Sequence, residues 1–146
     1  MSARYNILHV EDDFNDVLLV QRAFRKASLP VALESVNDGD KAVAYLSGED
    51  IYFDRARFPI PSLMLLDLKI PRKSGLEVLQ WVRGQPSWKR LPVAVLTSSR
   101  HDKDINLAYD IGANSYLVKP VGFDALVDMA RMINEYWLEL NQKPQF

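Results

Sequence analysis

Residues 63–67 constrain the fold more than any other part of the sequence. Four apolar residues precede an aspartate there, and an unbroken apolar run of this kind is typical of a central parallel strand that is buried on both faces. Such a strand requires helices on both sides of its sheet. The segment therefore predicts an α/β protein in which Asp67 lies at the carboxyl end of a central strand.

Short apolar runs alternate with segments of helical period along the rest of the chain. Strands are predicted at 5–10, 33–36, 63–67, 93–97 and 115–119, and helices at about 15–27, 40–47, 76–83, 102–111 and 123–140. Residues 48–61 contain two prolines and three aromatic residues without clean periodicity, which predicts a loop or a helix extension packed on the surface. The pattern predicts a doubly wound parallel sheet in a single domain, residues 1–146, with no separate output domain.

Composition narrows the functional classes. The chain has 18 Lys and Arg against 19 Asp and Glu, a formal net charge of -1, so no overall basic field attracts nucleic acid and direct binding of nucleic acid is not predicted. It has no cysteine, no apolar run near the roughly 20 residues that cross a bilayer, and no apolar leader segment. These features predict a cytoplasmic protein that makes no use of a membrane.

Polar side chains gather at the carboxyl ends of the predicted strands. They are Glu11 and Asp12 after the first strand, Asp67 after the third, Thr97 and Ser98 after the fourth, and Lys119 after the fifth. The carboxyl ends of parallel strands meet at the edge where open α/β sheets bind ligands. Each residue alone has an ordinary explanation, such as a helix cap or an ion pair. Together, the acids require a cation to offset their repulsion.

Magnesium suits this set of residues. Mg²⁺ prefers oxygen ligands, commonly takes only one or two carboxylates, and leaves positions for water and phosphate oxygen. Asp67 is then a candidate nucleophile that forms an acyl phosphate, while the metal and Lys119 neutralise charge on the transferring oxygens. Thr97 is expected to donate a hydrogen bond to the attached phosphate. The residues therefore predict a magnesium-dependent phosphoacceptor site.

Five motifs carry a resemblance to a known family. They are His-Val-Glu-Asp-Asp at 9–13, Leu-Leu-Asp-Leu-Lys-Ile-Pro at 65–71, Ser-Gly-Leu-Glu at 74–77, Leu-Thr-Ser at 96–98 and Gly-Ala-Asn-Ser-Tyr-Leu-Val-Lys-Pro at 112–120. With them the chain resembles the receiver domains of bacterial response regulators over nearly its whole length. The resemblance implies a flavodoxin-like (βα)5 fold with strand order 2-1-3-4-5, and transfer of a phosphoryl group from a sensor histidine kinase to Asp67.

The resemblance also implies roles for single residues. The implied metal ligands are Asp12, Asp67 and the backbone carbonyl of Lys69, with Glu11 acting through a water. Thr97 and Tyr116 match the switch pair of the family, in which the hydroxyl moves toward the phosphate and the aromatic side chain follows it inward. Lys119 matches the phosphate-binding lysine, and the family usually has a cis peptide bond between this lysine and the following proline, here Pro120.

A narrower resemblance concerns the partner. The length of the 48–61 segment, the motif Asp-Leu-Lys-Ile-Pro at 67–71 and the Tyr-Trp-Leu at 136–138 are similar to features of the small regulators that partner cyanobacterial and bacterial phytochromes. This implies a light-sensing histidine kinase as the phosphodonor. A downstream phosphotransfer or effector protein then reads the signal.

The last predicted helix carries two apolar stripes at 100° per residue. The stripe expected to face the sheet is Leu126, Ala130, Ile133, Trp137 and Leu140. Met129, Met132 and Tyr136 form a flanking stripe, which predicts an exposed apolar patch and a homodimer face. The alternative is that the 48–61 segment or the tail to Phe146 covers the patch. The resemblance favours a dimer through the fourth helix, fifth strand and fifth helix.

Two other functions compete with a signalling receiver that performs no catalysis beyond its own phosphorylation and dephosphorylation. A magnesium-dependent aspartyl phosphohydrolase normally has a second acid two residues after its nucleophile, where this chain has Lys69. A degenerate receiver that serves only as a docking scaffold is expected to lack at least one of Asp12, Asp67, Thr97 and Lys119. All four are present.

Overall fold

A single five-stranded parallel sheet forms the centre of the molecule. The structure is a computed structural model that describes residues 4–146. The strands are β1 (Tyr5–Val10), β2 (Val31–Val36), β3 (Leu63–Leu66), β4 (Val93–Thr97) and β5 (Ser115–Val118). Their order is β2-β1-β3-β4-β5, which confirms the predicted doubly wound sheet and its topology.

Five α-helices connect and cover the strands. They are α1 (Phe14–Lys26), α2 (Gly39–Ser47), α3 (Gly75–Gly84), α4 (Asp102–Ile111) and α5 (Phe123–Ile133). A 3-10 helix spans Asp50–Phe53, and a π-helix, Asn134–Leu140, continues α5. Among residues 4–146, no helix has the length and apolar character needed to cross a bilayer.

The sheet divides the core into two layers because successive side chains of a strand point to opposite faces. In β1, Leu8 and Val10 pack with α2, α3 and α4, whereas Ile7 packs on the other face with α1 and α5. All four residues of β3 are fully buried, as the apolar run predicted. Each fully buried aliphatic side chain contributes about 1.5–3 kcal/mol to folding, so β3 anchors both layers and fixes the position of Asp67.

The end of the last helix differs from the sequence prediction. Leu140 was expected to face the sheet, but it is exposed, and Val127 and Leu138 are buried in the core with Ala130 and Ile133. In a π-helix, backbone hydrogen bonds join residues five apart, so residues 133 and 138 share a face. The change from α to π geometry after residue 133 therefore breaks the 100° period on which the prediction rested.

The segment at 48–61 packs through its aromatic residues. Tyr45, Tyr52 and Phe58 form a triangle with ring centroids 5.0 to 6.0 Å apart. The guanidinium of Arg55 donates to the carbonyl oxygens of Tyr45 (2.9 Å) and Leu46 (3.0 Å), in the last turn of α2, where carbonyl groups have few helical partners. The expected loop or helix extension is thus confirmed and is anchored on α2.

Two glycines of α3 allow a matched test of packing behind Asp67. A Cβ on Gly75 would overlap the backbone of Asp67 and Leu68, whereas a Cβ on Gly84 would meet nothing within 4 Å. We expect Gly75→Ala to lower the free energy of unfolding by about 1–3 kcal/mol through overpacking. Gly84→Ala should leave it unchanged or raise it by up to about 1 kcal/mol. Urea denaturation followed by circular dichroism measures both, and equal stabilities would contradict the close approach.

Candidate functional site

Four of the predicted site residues meet at the carboxyl edge of the sheet, with Asp67 at the centre. The hydroxyl of Thr97, at the end of β4, donates to Asp67 Oδ1 at 2.8 Å. The backbone N–H of Lys69 donates to the same oxygen at 3.2 Å, and the ammonium of Lys119 donates to Oδ2 at 2.8 Å. Both oxygens of the Asp67 carboxylate therefore accept hydrogen bonds, which fixes its orientation.

The ammonium of Lys119 also binds two further carboxylates. Its Nζ lies 2.5 Å from Glu11 Oε1 and 2.8 Å from Asp16 Oδ2. The sequence analysis did not predict the contact of Asp16 with Lys119, because Asp16 lies in the first turn of α1 and not at the end of a strand. The sequence carries no local signal for this contact, because Asp12 and Asp13 precede α1 and the place of Asp16 depends on how the helix packs over the sheet.

Opposing effects set the charge of Asp67. Its burial raises the pKa of the carboxyl, but hydrogen bonds from Lys119 and Thr97 lower it by more, so the pKa of Asp67 lies below its ordinary value. Burial likewise lowers the pKa of Lys119, while hydrogen bonds to Asp16, Asp67 and Glu11 raise it above its ordinary value. At neutral pH the two groups are therefore an ionised carboxylate and an ammonium in contact.

Glu11 is the acid of the cluster whose pKa is raised. Its burial raises the pKa of the carboxyl, the hydrogen bond from Lys119 lowers it, and the charge of Asp67 raises it again, to a pKa of about 7. Asp12 lies beside it at the exposed rim. One ammonium thus faces several acids, and the excess of negative charge favours an additional cation.

The donor set fits Mg²⁺ without a cage of acids. No three His, Cys, Asp or Glu side chains within residues 4–146 lie close enough together to hold a metal by themselves. Mg²⁺ needs only one or two carboxylates and fills its other positions with water and other oxygens. Asp12 and Asp67 follow β1 and β3, which are neighbours in the sheet, and Lys69 has a backbone carbonyl two residues after Asp67.

The loop that follows Thr97 links the two predicted switch residues, Thr97 and Tyr116. Thr97 is buried and Tyr116 half-buried, and the hydroxyl of Tyr116 donates to the carbonyl oxygen of Ser99 at 3.1 Å. The hydroxyl of Ser99 in turn donates to Asp104 of α4 at 2.6 Å. The loop that follows Thr97 is therefore held by β5 on one side and by α4 on the other.

The expected cis bond before Pro120 is wrong for this structure. The peptide bonds in the described part of the chain are all trans. Lys119 is positioned by other contacts: its backbone N–H donates to the carbonyl oxygen of Thr97 at 2.8 Å, and its ammonium binds the three carboxylates. The side chain reaches Asp67 with a trans bond.

Two of the three residues in the flanking stripe of the last helix are exposed, and Met129 is half-buried against the core. Met132 is 67% and Tyr136 55% exposed, and with Met129 they line a groove of about 620 Å³ between β5 and α5. The tail does not cover it, because the ring of Phe146 packs on Trp88, with centroids 5.4 Å apart. The predicted apolar patch is therefore present on the surface.

Sequence relatives identify the kind of chain in which this site occurs. The family model described as the response regulator receiver domain matches residues 7–131. Response regulator Rcp1 of Synechocystis is 38% identical over 91% of this chain and 88% of its own length. A probable methanogenesis regulatory protein, FilR2 of Methanothrix harundinacea, is 36% identical over 94% of this chain and 86% of its own.

Solved structures agree with the sequence relatives. The phosphorylated cyanobacterial phytochrome response regulator RcpA has a TM-score of 0.89 at 36% identity, covering 98% of this chain and 100% of its own. The Mn²⁺-bound form of Rcp1 has a TM-score of 0.83 at 36% identity, covering 96% of this chain and 99% of its own. The chain is thus similar over its length to a regulator that carries a phosphoryl group and to one that carries a divalent metal.

His9, buried in β1 near the site, makes stability depend on pH. Its burial and the charge of Lys119 lower its pKa from 6.5 to about 4, against the effects of Asp67 and Asp16. As the pH falls below 6.5, His9 binds a proton in the unfolded chain, whereas in the folded chain it stays neutral down to about pH 4. The free energy of unfolding should therefore fall by about 3 kcal/mol across this window.

Urea denaturation between pH 7 and 4 tests this expectation for the native chain and for His9→Gln. The variant should lose this part of the pH dependence, whatever its stability at pH 7. His101→Gln is the control, because His101 is exposed and should leave the dependence unchanged. Parallel curves for the native chain and His9→Gln would contradict the assignment.

Proposed function

Because the chain belongs to the response regulator receiver family, we propose that it accepts a phosphoryl group on Asp67 from a phosphohistidine of a sensor kinase. One observation carries the proposal: Asp67 is a buried, ionised carboxylate that contacts Lys119, Thr97 and the backbone N–H of Lys69 at the carboxyl edge of the sheet. These are a nucleophile, a cation and hydrogen-bond donors, the parts that phosphoryl transfer requires.

The transfer is a single displacement at phosphorus. A carboxylate oxygen of Asp67 forms the new P–O bond as the P–N bond to the kinase histidine breaks, and the imidazole nitrogen keeps the electron pair and takes up a proton. The ammonium of Lys119 pairs with the phosphoryl oxygens, and its raised pKa keeps it charged. Thr97, which donates to Asp67 Oδ1 in this structure, donates to a phosphoryl oxygen in the product.

Asp12, Asp67 and the backbone carbonyl of Lys69 would hold Mg²⁺, with Glu11 acting through a water. When bound there, the ion supplies positive charge against the transferring oxygens. The donor chemistry described above and the Mn²⁺-bound form of the similar regulator Rcp1 support this assignment.

The signal leaves the site through the loop after Thr97. Movement of the Thr97 hydroxyl toward the phosphate would shift Ser99, whose carbonyl accepts from Tyr116 and whose hydroxyl donates to Asp104. The surface of α4, β5 and α5 would change, and a downstream phosphotransfer or effector protein would read it by binding.

The protein then acts by association and catalyses nothing beyond its own phosphorylation and dephosphorylation. Its cytoplasmic location stays a prediction.

The phosphodonor we propose is a light-sensing histidine kinase of the phytochrome type. The similar protein RcpA is a cyanobacterial phytochrome response regulator, and another similar protein is a bacteriophytochrome response regulator, RtBRR, at 38% identity. Both are matched along nearly the full length of this chain. The similarity therefore extends beyond the phosphoacceptor motifs that many receivers share.

Intact mass spectrometry tests the phosphoacceptor. Incubation with acetyl phosphate and Mg²⁺ should add one phosphoryl group of about 80 Da to the native chain, with acetate as the leaving group. The adduct should be absent from Asp67→Asn and when Mg²⁺ is chelated. Asp110→Asn removes an exposed carboxylate of α4 and should react like the native chain. An adduct that persists in Asp67→Asn would contradict the assignment.

The same assay identifies the donor. A phosphorylated phytochrome kinase should transfer its phosphoryl group faster than a histidine kinase that has no light-sensing domain. Equal transfer rates from the two kinases would argue against a phytochrome partner.

We further infer that the exposed stripe of α5 and its π-helix is a homodimer face. Met132 and Tyr136 are exposed, and the groove that they line with Met129 runs beside β5. Burying these side chains in a second copy would remove apolar surface from water. Since β5 also carries Tyr116, phosphorylation would alter this face.

Light scattering tests the dimer before and after treatment with acetyl phosphate. Tyr136→Glu should weaken the dimer at least about tenfold, because it places a charge at an apolar contact. Phe53→Glu is the matched control, since Phe53 is an exposed aromatic residue in the 3-10 helix outside the proposed face. A native chain that is monomeric in both states, or an unchanged dimer for Tyr136→Glu, would contradict the inference.

A further inference from the structure

Asp16 is a fixed partner of the Lys119 ammonium. It lies in the first turn of α1, with Oδ2 2.8 Å from Lys119 Nζ. This turn is held in place by Asp13, whose carboxylate accepts hydrogen bonds from the backbone N–H groups of Asn15 and Asp16. The positive end of the helix dipole also favours a carboxylate in the first turn. Asp16 is therefore anchored beside Lys119.

The three carboxylates around Lys119 differ in their other tasks. The side chains of Glu11 and Asp67 are 1% and 8% exposed, whereas that of Asp16 is 34% exposed and lies at the rim of the cluster. Under the proposed function, Asp67 becomes an acyl phosphate, and Glu11 would help to hold Mg²⁺ through a water. Asp16 is then the one of these three contacts that Lys119 can keep throughout the reaction.

We propose that Asp16 is a positioning residue that keeps the ammonium of Lys119 beside Asp67 while the phosphoryl group arrives. It touches no reacting atom and acts through Lys119. The inference rests on the proposed function, because it assigns a task to a contact within that site. The competing explanation is that Asp16 only stabilises the start of α1, in which case its contact with Lys119 has no consequence for the reaction.

The first experiment measures the contact without metal or phosphodonor. Trace acetylation with acetic anhydride modifies neutral amines, and mass spectrometry gives the reactivity of Lys119 relative to Lys41 in the same chain. Asp16→Asn should raise the relative reactivity of Lys119 about threefold or more, because an ion pair that favours the ammonium is lost. Asp102→Asn is the matched control: it removes the same charge from the first turn of another helix, α4, where the carboxylate is exposed.

The second experiment measures the consequence. With acetyl phosphate and Mg²⁺, Asp16→Asn should lower the maximal rate of phosphoryl acceptance about two- to fivefold, the effect of one partly exposed ion pair. The half-saturating concentration of acetyl phosphate should change less than the rate. Asp16→Glu should recover part of the rate, whereas Asp102→Asn should match the native chain.

Several outcomes overturn the proposal. Unchanged reactivity of Lys119 in Asp16→Asn removes its basis, and an unchanged or increased rate with raised reactivity shows that the contact does not assist the reaction. Equal effects of Asp102→Asn and Asp16→Asn would show that the loss of any negative charge is enough and that the contact with Lys119 has no special role. If the native chain accepts no phosphoryl group, the proposed function fails, while the acetylation result still decides whether Asp16 holds Lys119.

Discussion

One ammonium among several carboxylates is the interaction on which the rest of the site depends. Without Lys119, the acids Glu11, Asp16 and Asp67 would repel each other at a partly desolvated edge, where charge interactions are stronger than in water. The lysine comes from the end of β5, Glu11 and Asp67 from the ends of β1 and β3, and Asp16 from α1. A single side chain therefore ties the carboxyl ends of three strands to the first helix.

The same edge is continuous with the surface that we propose to carry the signal. Thr97 contacts Asp67 directly, and the next residues along the chain reach Tyr116 and Asp104 through Ser99. These contacts are hydrogen bonds of 2.6 to 3.1 Å, which tolerate little displacement before they break. A rearrangement at the carboxylate thus has a short physical route to α4 and β5.

The sequence predicted the parts of the molecule whose physics is local. Continuous apolar runs located the strands, and the polar residues at their ends located Asp67, Thr97 and Lys119. The sequence did not predict the role of Asp16, because its position beside Lys119 depends on how α1 packs over the sheet. No local sequence pattern indicates that packing. The exposure of Leu140 escaped for a related reason, since it depends on a change of helical geometry within a segment that has the period of an ordinary α-helix.

The π-helix affects how a change in chain length would alter the outer face of the molecule. A π-turn holds one residue more than an α-turn, so the segment Asn134–Leu140 is equivalent to an α-helix that has taken up an insertion. Removing one residue there would let the segment return to α geometry, which would change the direction of the side chains within it. Tyr136 and its neighbours would then point elsewhere without any change in their chemical character. The number of residues in this segment therefore determines which side chains the surface presents to other molecules, as much as the identity of those residues does.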